Sequence, residues 1–186
     1  MPRHGKGIAC FVVITGTPGA GKTTLGRALS RYASTLTQQC MVHISVDDLR
    51  AMVVHPGSID YVAEHKLWLP MLGAQLKVLQ ALPEPGVALV VVDGLFYDRA
   101  DIKWLLCKAS PRFLFNIHLS LPLEVCLMRN SQRSGEARLE DEEVRRLHQL
   151  PPPPHARIIE LTGTETPEMV AVQVLQEMVF CGLSDP

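Results

Sequence analysis

The sequence predicts a three-layer α/β domain built around a parallel sheet. Short apolar segments alternate five times with segments of helical spacing, which is typical of parallel strands joined by helical crossovers. The 186 residues suffice for one domain with a full core, and no break in composition marks a second one. We therefore expect a single domain over residues 1–186, with a five-stranded parallel sheet flanked by helices.

The predicted strands are short apolar runs, most of them rich in β-branched residues, as buried parallel strands usually are. The run Val87 to Val92 is the strongest of these predictions because it holds no polar residue. In chain order the predicted strands cover residues 8–15, 41–45, 87–92, 113–119 and 158–161.

Apolar residues at helical spacing predict the helices that join these strands. Pro70 lies inside one of them and is expected to kink or divide it, because proline has no amide donor. Thr166 followed by Pro167 predicts the capped start of the last helix. Turn signals are expected at residues 56–57 and 83–86, and an extended connector at residues 151–154. The predicted helices begin near residues 24, 61, 98, 122, 140 and 167.

The composition argues against several classes of function. The formal net charge is -1, so no overall positive field favours binding of nucleic acid. The N-terminus lacks the apolar segment of a signal peptide, and no run is long enough to cross a membrane. The five cysteines include no C-x-x-C pair and are expected to be reduced structural thiols. We therefore expect a soluble, cytoplasmic protein.

The segment from Gly16 to Thr23 matches the phosphate-binding loop pattern G-x-x-x-x-G-K-[ST] at every position. Glycines let successive backbone N–H groups point at phosphate oxygens, Lys22 places a positive charge on the β- and γ-phosphates, and Thr23 offers its hydroxyl to Mg²⁺. A predicted strand before the loop and a predicted helix after it complete the P-loop NTPase pattern. The expected nucleotide contacts are Gly16, Pro18, Gly19, Ala20, Gly21, Lys22, Thr23 and Thr24.

Three carboxylates follow predicted strands, where open parallel sheets bind their ligands. Asp93 ends the third strand and is expected to hold Mg²⁺ through water, although it could instead cap the next turn. Asp47 and Asp48 follow the second strand, and either could be a general base or the N-cap of a helix. Asp47 is favoured as the base because it comes first. Asp48 and Arg50 are the expected acceptor contacts, Arg50 through an anionic part of the acceptor; Arg50 could instead be a solvated surface residue.

Arg129 and Arg133 are spaced i, i+4, which would place both guanidinium groups on one face of a helix. Together they could clamp phosphates and neutralise charge in the transition state from a lid over about residues 129–150. The alternative is a solvated helix face.

Together these motifs resemble the P-loop kinase group that contains O-phosphoseryl-tRNA(Sec) kinase and the 5′ polynucleotide kinases; zeta toxins and chloramphenicol phosphotransferase are similar in plan. The resemblance implies ATP and Mg²⁺ as cofactors. It implies that Asp47 is the general base, that Arg50 contacts substrate, and that Arg129 and Arg133 bind ATP phosphates.

Two departures from that group bear on the substrate. Val92-Asp93-Gly94 lacks the asparagine that often follows the third strand in those kinases. Seryl-tRNA(Sec) kinases also carry a separate tRNA-binding region after the kinase domain, which we do not expect here. The sequence therefore favours a kinase that transfers the γ-phosphate of Mg-ATP to a hydroxyl group of a small polar acceptor. The alternatives are an RNA-directed kinase, either seryl-tRNA(Sec) kinase-like or a 5′-hydroxyl polynucleotide kinase, and a nucleotide-dependent switch ATPase.

Overall fold

The centre of the molecule is a sheet of five parallel strands. The computed structural model describes residues 8–52, 61–82, 86–96, 99–135 and 138–182. The strands are β1 (Ile8–Gly16), β2 (Met41–Ser45), β3 (Val87–Asp93), β4 (Phe113–Ser120) and β5 (Arg157–Glu160). They lie side by side in the order β2-β3-β1-β4-β5. The predicted fold class is confirmed.

Helices cover both faces of this sheet. Two helices follow β2 and two follow β4, whereas the other connections carry one helix each. The helices are α1 (Lys22–Thr37), α2 (Val46–Ala51), α3 (Tyr61–Gln80), α4 (Arg99–Ala109), α5 (Leu123–Ser131), α6 (Asp141–His148) and α7 (Pro167–Gly182).

Alternation along the central strands divides the core into two halves. Val12 and Ile14 of β1 pack with α1, α5, α6 and α7, whereas Phe11 and Val13 pack with α2, α3 and α4. Successive side chains of a strand point to opposite faces, so a continuous apolar run supplies both halves at once. Because helices cover both faces of the sheet, a ligand is expected to bind at the ends of the strands.

The sequence predicts that Pro70 kinks or divides its helix, and the division is wrong. Helix α3 is continuous over 20 residues with Pro70 inside it. Pro70 is exposed, whereas Trp68, Leu72 and Leu76 on the same helix are buried against the sheet. Tertiary packing therefore outweighs the local cost of the proline. The turn predicted at residues 56–57 and most of that predicted at 83–86 lie outside the described residues.

Two smaller predictions are tested by local geometry. The backbone N–H of Met169 donates to Thr166 Oγ1 at 3.3 Å, which confirms the cap before α7. Cys10, Cys40, Cys107 and Cys126 are free thiols. Burial raises the pKa of Cys10 to about 12. Within the described ranges, no helix is both long and apolar enough to span a membrane.

Candidate functional site

The phosphate-binding loop joins the carboxyl end of β1 to the N-terminus of α1. Gly16, Gly19 and Gly21 have φ angles of 144°, 90° and 91°, which residues with a Cβ rarely adopt. A Cβ on Gly19 would lie 2.7 Å from the carbonyl oxygen of Cys126 in α5. Gly21 is the N-cap of α1, so the positive end of this helix opens onto the loop. The loop therefore has the backbone of an anion-binding site.

Lys22 is buried inside this loop. Its Nζ donates to the carbonyl oxygens of Gly16 at 2.9 Å and Thr17 at 3.2 Å. Burial lowers the pKa of Lys22, and the carboxylates of Asp47 and Asp93 oppose that shift. The ammonium group is therefore held at the loop, within electrostatic reach of two of the predicted carboxylates.

Thr23 and Asp93 meet directly beside the loop. The Thr23 hydroxyl donates to Asp93 Oδ2 at 2.8 Å, and Asp93 is only 1% exposed. Magnesium prefers oxygen ligands and usually binds one or two carboxylates together with substrate phosphates. The part of the chain that the structure describes holds no cluster of three or more metal-ligating side chains. A hydroxyl and a carboxylate next to a phosphate-binding loop thus fit an ion that arrives with a nucleotide.

Asp47 and Asp48 both lie in the first turn of α2, and Ser45 occupies the N-cap position. The alternative that one of them is the N-cap is therefore wrong; β2 runs straight into the helix. Their carboxylates take different partners. Asp47 Oδ1 lies 3.5 Å from Arg50 Nη1, whereas Asp48 Oδ2 lies 3.7 Å from Arg27 Nη2.

The two aspartates also differ in their relation to the loop. The charge of Asp47 raises the pKa of Lys22, and Asp48 is not among the causes of that shift. Asp47 is therefore the aspartate whose charge acts on Lys22. Exposure does not separate the pair, because the side chain of Asp47 is 64% exposed and that of Asp48 is 63% exposed.

The prediction that Arg129 and Arg133 share a helical face is wrong. Helix α5 ends at Ser131, and Arg133 lies beyond its C-cap. Both arginines nevertheless line one cleft beside the loop. Arg129 donates from Nη1 to the carbonyl oxygen of Gly19 at 3.3 Å and from Nη2 to that of Gly163 at 3.0 Å. The arginines therefore meet at the loop because the chain turns there, and not because of helical spacing.

This cleft has a volume of about 280 Å³ and borders the outer side of the phosphate-binding loop. Glu165 fixes one of its walls by accepting hydrogen bonds from the backbone N–H of Thr162 at 2.9 Å and of Gly163 at 2.9 Å. Those bonds, together with one from the Thr162 hydroxyl, lower the pKa of Glu165 to about 2. The apolar lining comes from Leu119, Leu121, Leu161, Pro167 and Val170. A cleft with an apolar floor and an arginine at its edge suits a planar, partly polar group.

Sequence analysis missed two histidines behind the loop. His148, the last residue of α6, places Nδ1 3.1 Å from the hydroxyl oxygen of Thr17. His118 on β4 places Nδ1 3.1 Å from the hydroxyl oxygen of Thr15 on β1. Each pair is more than 100 residues apart in the chain, so no local spacing could have indicated it. The first contact ties α6 to the phosphate-binding loop.

A buried asparagine closes the segment between α5 and α6. Asn130 is fully buried; its Nδ2 donates to the carbonyl oxygen of Leu139 at 2.8 Å, and its Oδ1 accepts from the Leu139 N–H at 3.1 Å. We call this pair of hydrogen bonds the Asn130–Leu139 bridge. It fixes both ends of the segment that carries Arg133.

The family follows from a match that spans most of these features. The family model AAA_18, described as an AAA domain, matches residues 12–148. The chain belongs to this family. The matched part of the AAA domain runs from β1 to the last residue of α6 and includes the loop, the three aspartates and both arginines. A search of curated protein sequences found no match.

Solved structures share the fold of this AAA domain. A sugar kinase from Janibacter sp. aligns with a TM-score of 0.62 at 19% identity, over 94% of this chain and 97% of its own. A gluconokinase from Sinorhizobium meliloti aligns with a TM-score of 0.60 at 17% identity, over 97% and 99%. The APS kinase of Mycobacterium tuberculosis, solved with AMPPNP and APS, gives a TM-score of 0.65 at 18% identity, over 90% and 96%. At such identities the likeness concerns the fold.

Buried His118 gives this AAA domain a predicted pH dependence of stability. Burial lowers the pKa of His118 below 6.5, and the positive charges of Lys22 and His148 lower it further. The unfolded state therefore binds the proton more readily, so we expect the free energy of unfolding to fall as the pH drops below about 6.5. Urea unfolding of the wild type and of His118→Asn, measured at about pH 7.5 and 5.5, checks this.

The asparagine amide can replace Nδ1 of His118 toward Thr15, but it does not titrate. We expect the midpoint urea concentration to fall further between about pH 7.5 and 5.5 for the wild type than for the variant. Equal losses in both proteins would remove His118 as the source of the pH dependence.

Proposed function

We propose that this protein is a kinase that transfers the γ-phosphate of Mg-ATP to a hydroxyl group of a small polar acceptor. The observation that carries the proposal is geometric: buried Lys22 is held inside the loop by the carbonyl oxygen of Gly16 at 2.9 Å, and the adjacent Thr23 hydroxyl donates to Asp93 at 2.8 Å. Asp47 lies in the first turn of α2, directly after the strand that pairs with β3. Phosphoryl transfer needs a cation on the phosphates, a metal-side carboxylate, and a carboxylate for the acceptor, all close together. These three groups meet at the carboxyl ends of adjacent parallel strands, which supports the proposal.

On the nucleotide side, the loop from Gly16 to Thr24 binds the phosphates through its backbone N–H groups. Lys22 binds the β- and γ-phosphates, and Arg133 adds positive charge next to it. Arg129 edges the cleft in which we place the base and ribose. Mg²⁺ would be held by Thr23 and, through water, by Asp93, and it would neutralise the charge of the phosphates when bound.

On the acceptor side, Asp47 takes the proton from the attacking hydroxyl group. Its carboxylate is exposed and pairs with Arg50, and we assign to Arg50 the binding of a polar or anionic part of the same acceptor. Asp48 stays a predicted acceptor contact, although its pairing with Arg27 favours Asp47 as the base. The fold neighbours described as sugar kinase and gluconokinase support a small acceptor.

Charge pairing around the site also favours a small molecule over RNA. Phosphate-backbone binding needs a surface with excess positive charge. Arg50 pairs with Asp47, and Arg146 pairs with Glu143 at 2.6 Å. A basic face built from Arg50 and Arg146, which an RNA-directed kinase would use, is therefore partly neutralised by adjacent acids.

The decisive experiment measures transfer of the γ-phosphate by the purified protein with Mg-ATP across a panel of acceptors. The panel contains sugars and sugar acids, hydroxylated antibiotics, total tRNA, serylated tRNA(Sec) and 5′-hydroxyl oligonucleotides. Turnover that depends on a small hydroxylated compound would support the proposal. Turnover confined to the RNA acceptors, weakening steeply with salt, would replace it with an RNA-directed kinase. Slow ATP hydrolysis indifferent to every acceptor would replace it with a switch ATPase.

A further inference from the structure

A histidine on the edge strand of the sheet contacts the metal-side carboxylate. His43 lies on β2, and its Nε2 is 2.6 Å from Asp93 Oδ1. The two side chains are 11% and 1% exposed. Since a carboxylate only accepts hydrogen bonds, Nε2 carries the proton in this contact. The other oxygen, Oδ2, accepts from the Thr23 hydroxyl at 2.8 Å and from Ser45 Oγ at 3.4 Å.

The helix opposite His43 leaves room for its ring. A Cβ on Gly26 of α1 would collide with His43 Nε2 and with the neighbouring ring carbon. A glycine inside a helix costs about 1 kcal/mol relative to alanine. Gly26 is therefore an unfavourable residue for α1 itself, and it stands where a larger residue would collide with the imidazole. This observation is independent of the hydrogen bond and also indicates that the fold keeps a place for the ring.

We infer that His43 is a positioning residue for Asp93. It holds Oδ1, so that Oδ2 stays directed at Thr23 and at the Mg²⁺ of the bound nucleotide. Partners that hydrogen-bond a metal-side carboxylate from behind fix its orientation, and their loss typically weakens metal binding or activity by about 10- to 100-fold. Without a donor at Oδ1, the carboxylate of Asp93 is free to rotate away from Thr23. The inference rests on the nucleotide half of the proposed function and is independent of the acceptor.

The test uses two amides of different reach. The amide nitrogen of glutamine can occupy the position of Nε2, whereas that of asparagine corresponds to Nδ1 and falls short of Asp93. ADP binding is measured by titration calorimetry with Mg²⁺ and with EDTA, for the wild type, His43→Gln and His43→Asn. We expect Mg²⁺ to tighten ADP binding in the wild type and in His43→Gln. In His43→Asn we expect about 10-fold or more of that tightening to be lost, with affinity in EDTA unchanged.

A second variant displaces the ring but keeps the imidazole. Gly26→Ala puts a methyl group where the ring lies, so it too should lose the Mg²⁺-dependent tightening while ADP still binds in EDTA. Full tightening in both His43→Asn and Gly26→Ala would overturn the inference and leave the proposed function intact. A wild type whose ADP affinity does not respond to Mg²⁺ would instead contradict the proposed metal roles of Thr23 and Asp93, and the inference with them. Equal loss of affinity in Mg²⁺ and in EDTA would indicate a purely structural role for His43.

Discussion

Replacing Asp47 with asparagine is expected to lower the rate of acceptor phosphorylation by about 10²–10⁴-fold, the usual contribution of a positioned general base. The amide keeps the shape of the side chain but cannot take the proton of the attacking hydroxyl group. Nucleotide affinity should stay within a few-fold, because the proposal assigns Asp47 to the acceptor and not to the nucleotide. Initial rates of phosphate transfer at saturating ATP, together with ADP binding, measure the two effects separately.

The matched comparison is Asp48→Asn, which removes the same charge from the neighbouring position. Since Asp48 pairs with Arg27 of α1 and its charge is not among the causes of the Lys22 pKa shift, this variant should keep most of the transfer rate. A larger loss in Asp48→Asn than in Asp47→Asn would transfer the role of base to Asp48. Wild-type rates in both variants would remove a carboxylate base from the mechanism.

Replacing Lys22 with methionine is expected to lower ATP turnover by about 10²–10³-fold, comparable to the loss of one preorganised charge-stabilising donor. The variant removes the ammonium group that the loop directs at the phosphates. Burial lowers the pKa of Lys22, so the charged form is costly in the folded state. The thermal midpoint of the methionine variant should therefore not fall below that of the wild type by more than a few degrees. The loss of ATP turnover can then be assigned to the missing ammonium group and not to unfolding.

Lys77→Met provides the control for this substitution, since Lys77 is an exposed lysine on α3. It should turn over ATP at the wild-type rate. The proposal fails at its centre if a folded Lys22→Met protein retains full activity, because no other described lysine lies in the loop.

The sequence was most informative where a local pattern has only one physical meaning. The loop from Gly16 to Thr23 needs glycines at positive φ, a cation and a hydroxyl in a fixed order, so the motif predicts its own geometry. Continuous apolar runs likewise predict parallel strands that are buried on both faces. All five predicted strands are present. The direction of each strand then places Asp47 and Asp93 at one edge of the sheet.

Contacts across the sheet could not be predicted in this way. His43 occupies a strand position that resembles any other partly buried residue, and only the register of β2 against β3 brings its ring to Asp93. The pairs of Thr15 with His118 and of Thr17 with His148 depend on the packing of distant elements. Arg133 shows the opposite error: its spacing from Arg129 suggested a helical face, but the helix ends before it.

The Asn130–Leu139 bridge allows the length of the segment between these two residues to change without moving the helices on either side. Because the bridge holds both ends together, the eight intervening positions do not have to maintain the register of α5 and α6. Doubling the length of a closed loop costs only about 0.6 kcal/mol. Insertions here are consequently among the least costly changes open to the domain during evolution. The segment can thus lengthen while the phosphate-binding loop and the sheet beneath it stay unchanged, provided that Arg133 keeps its place in the cleft.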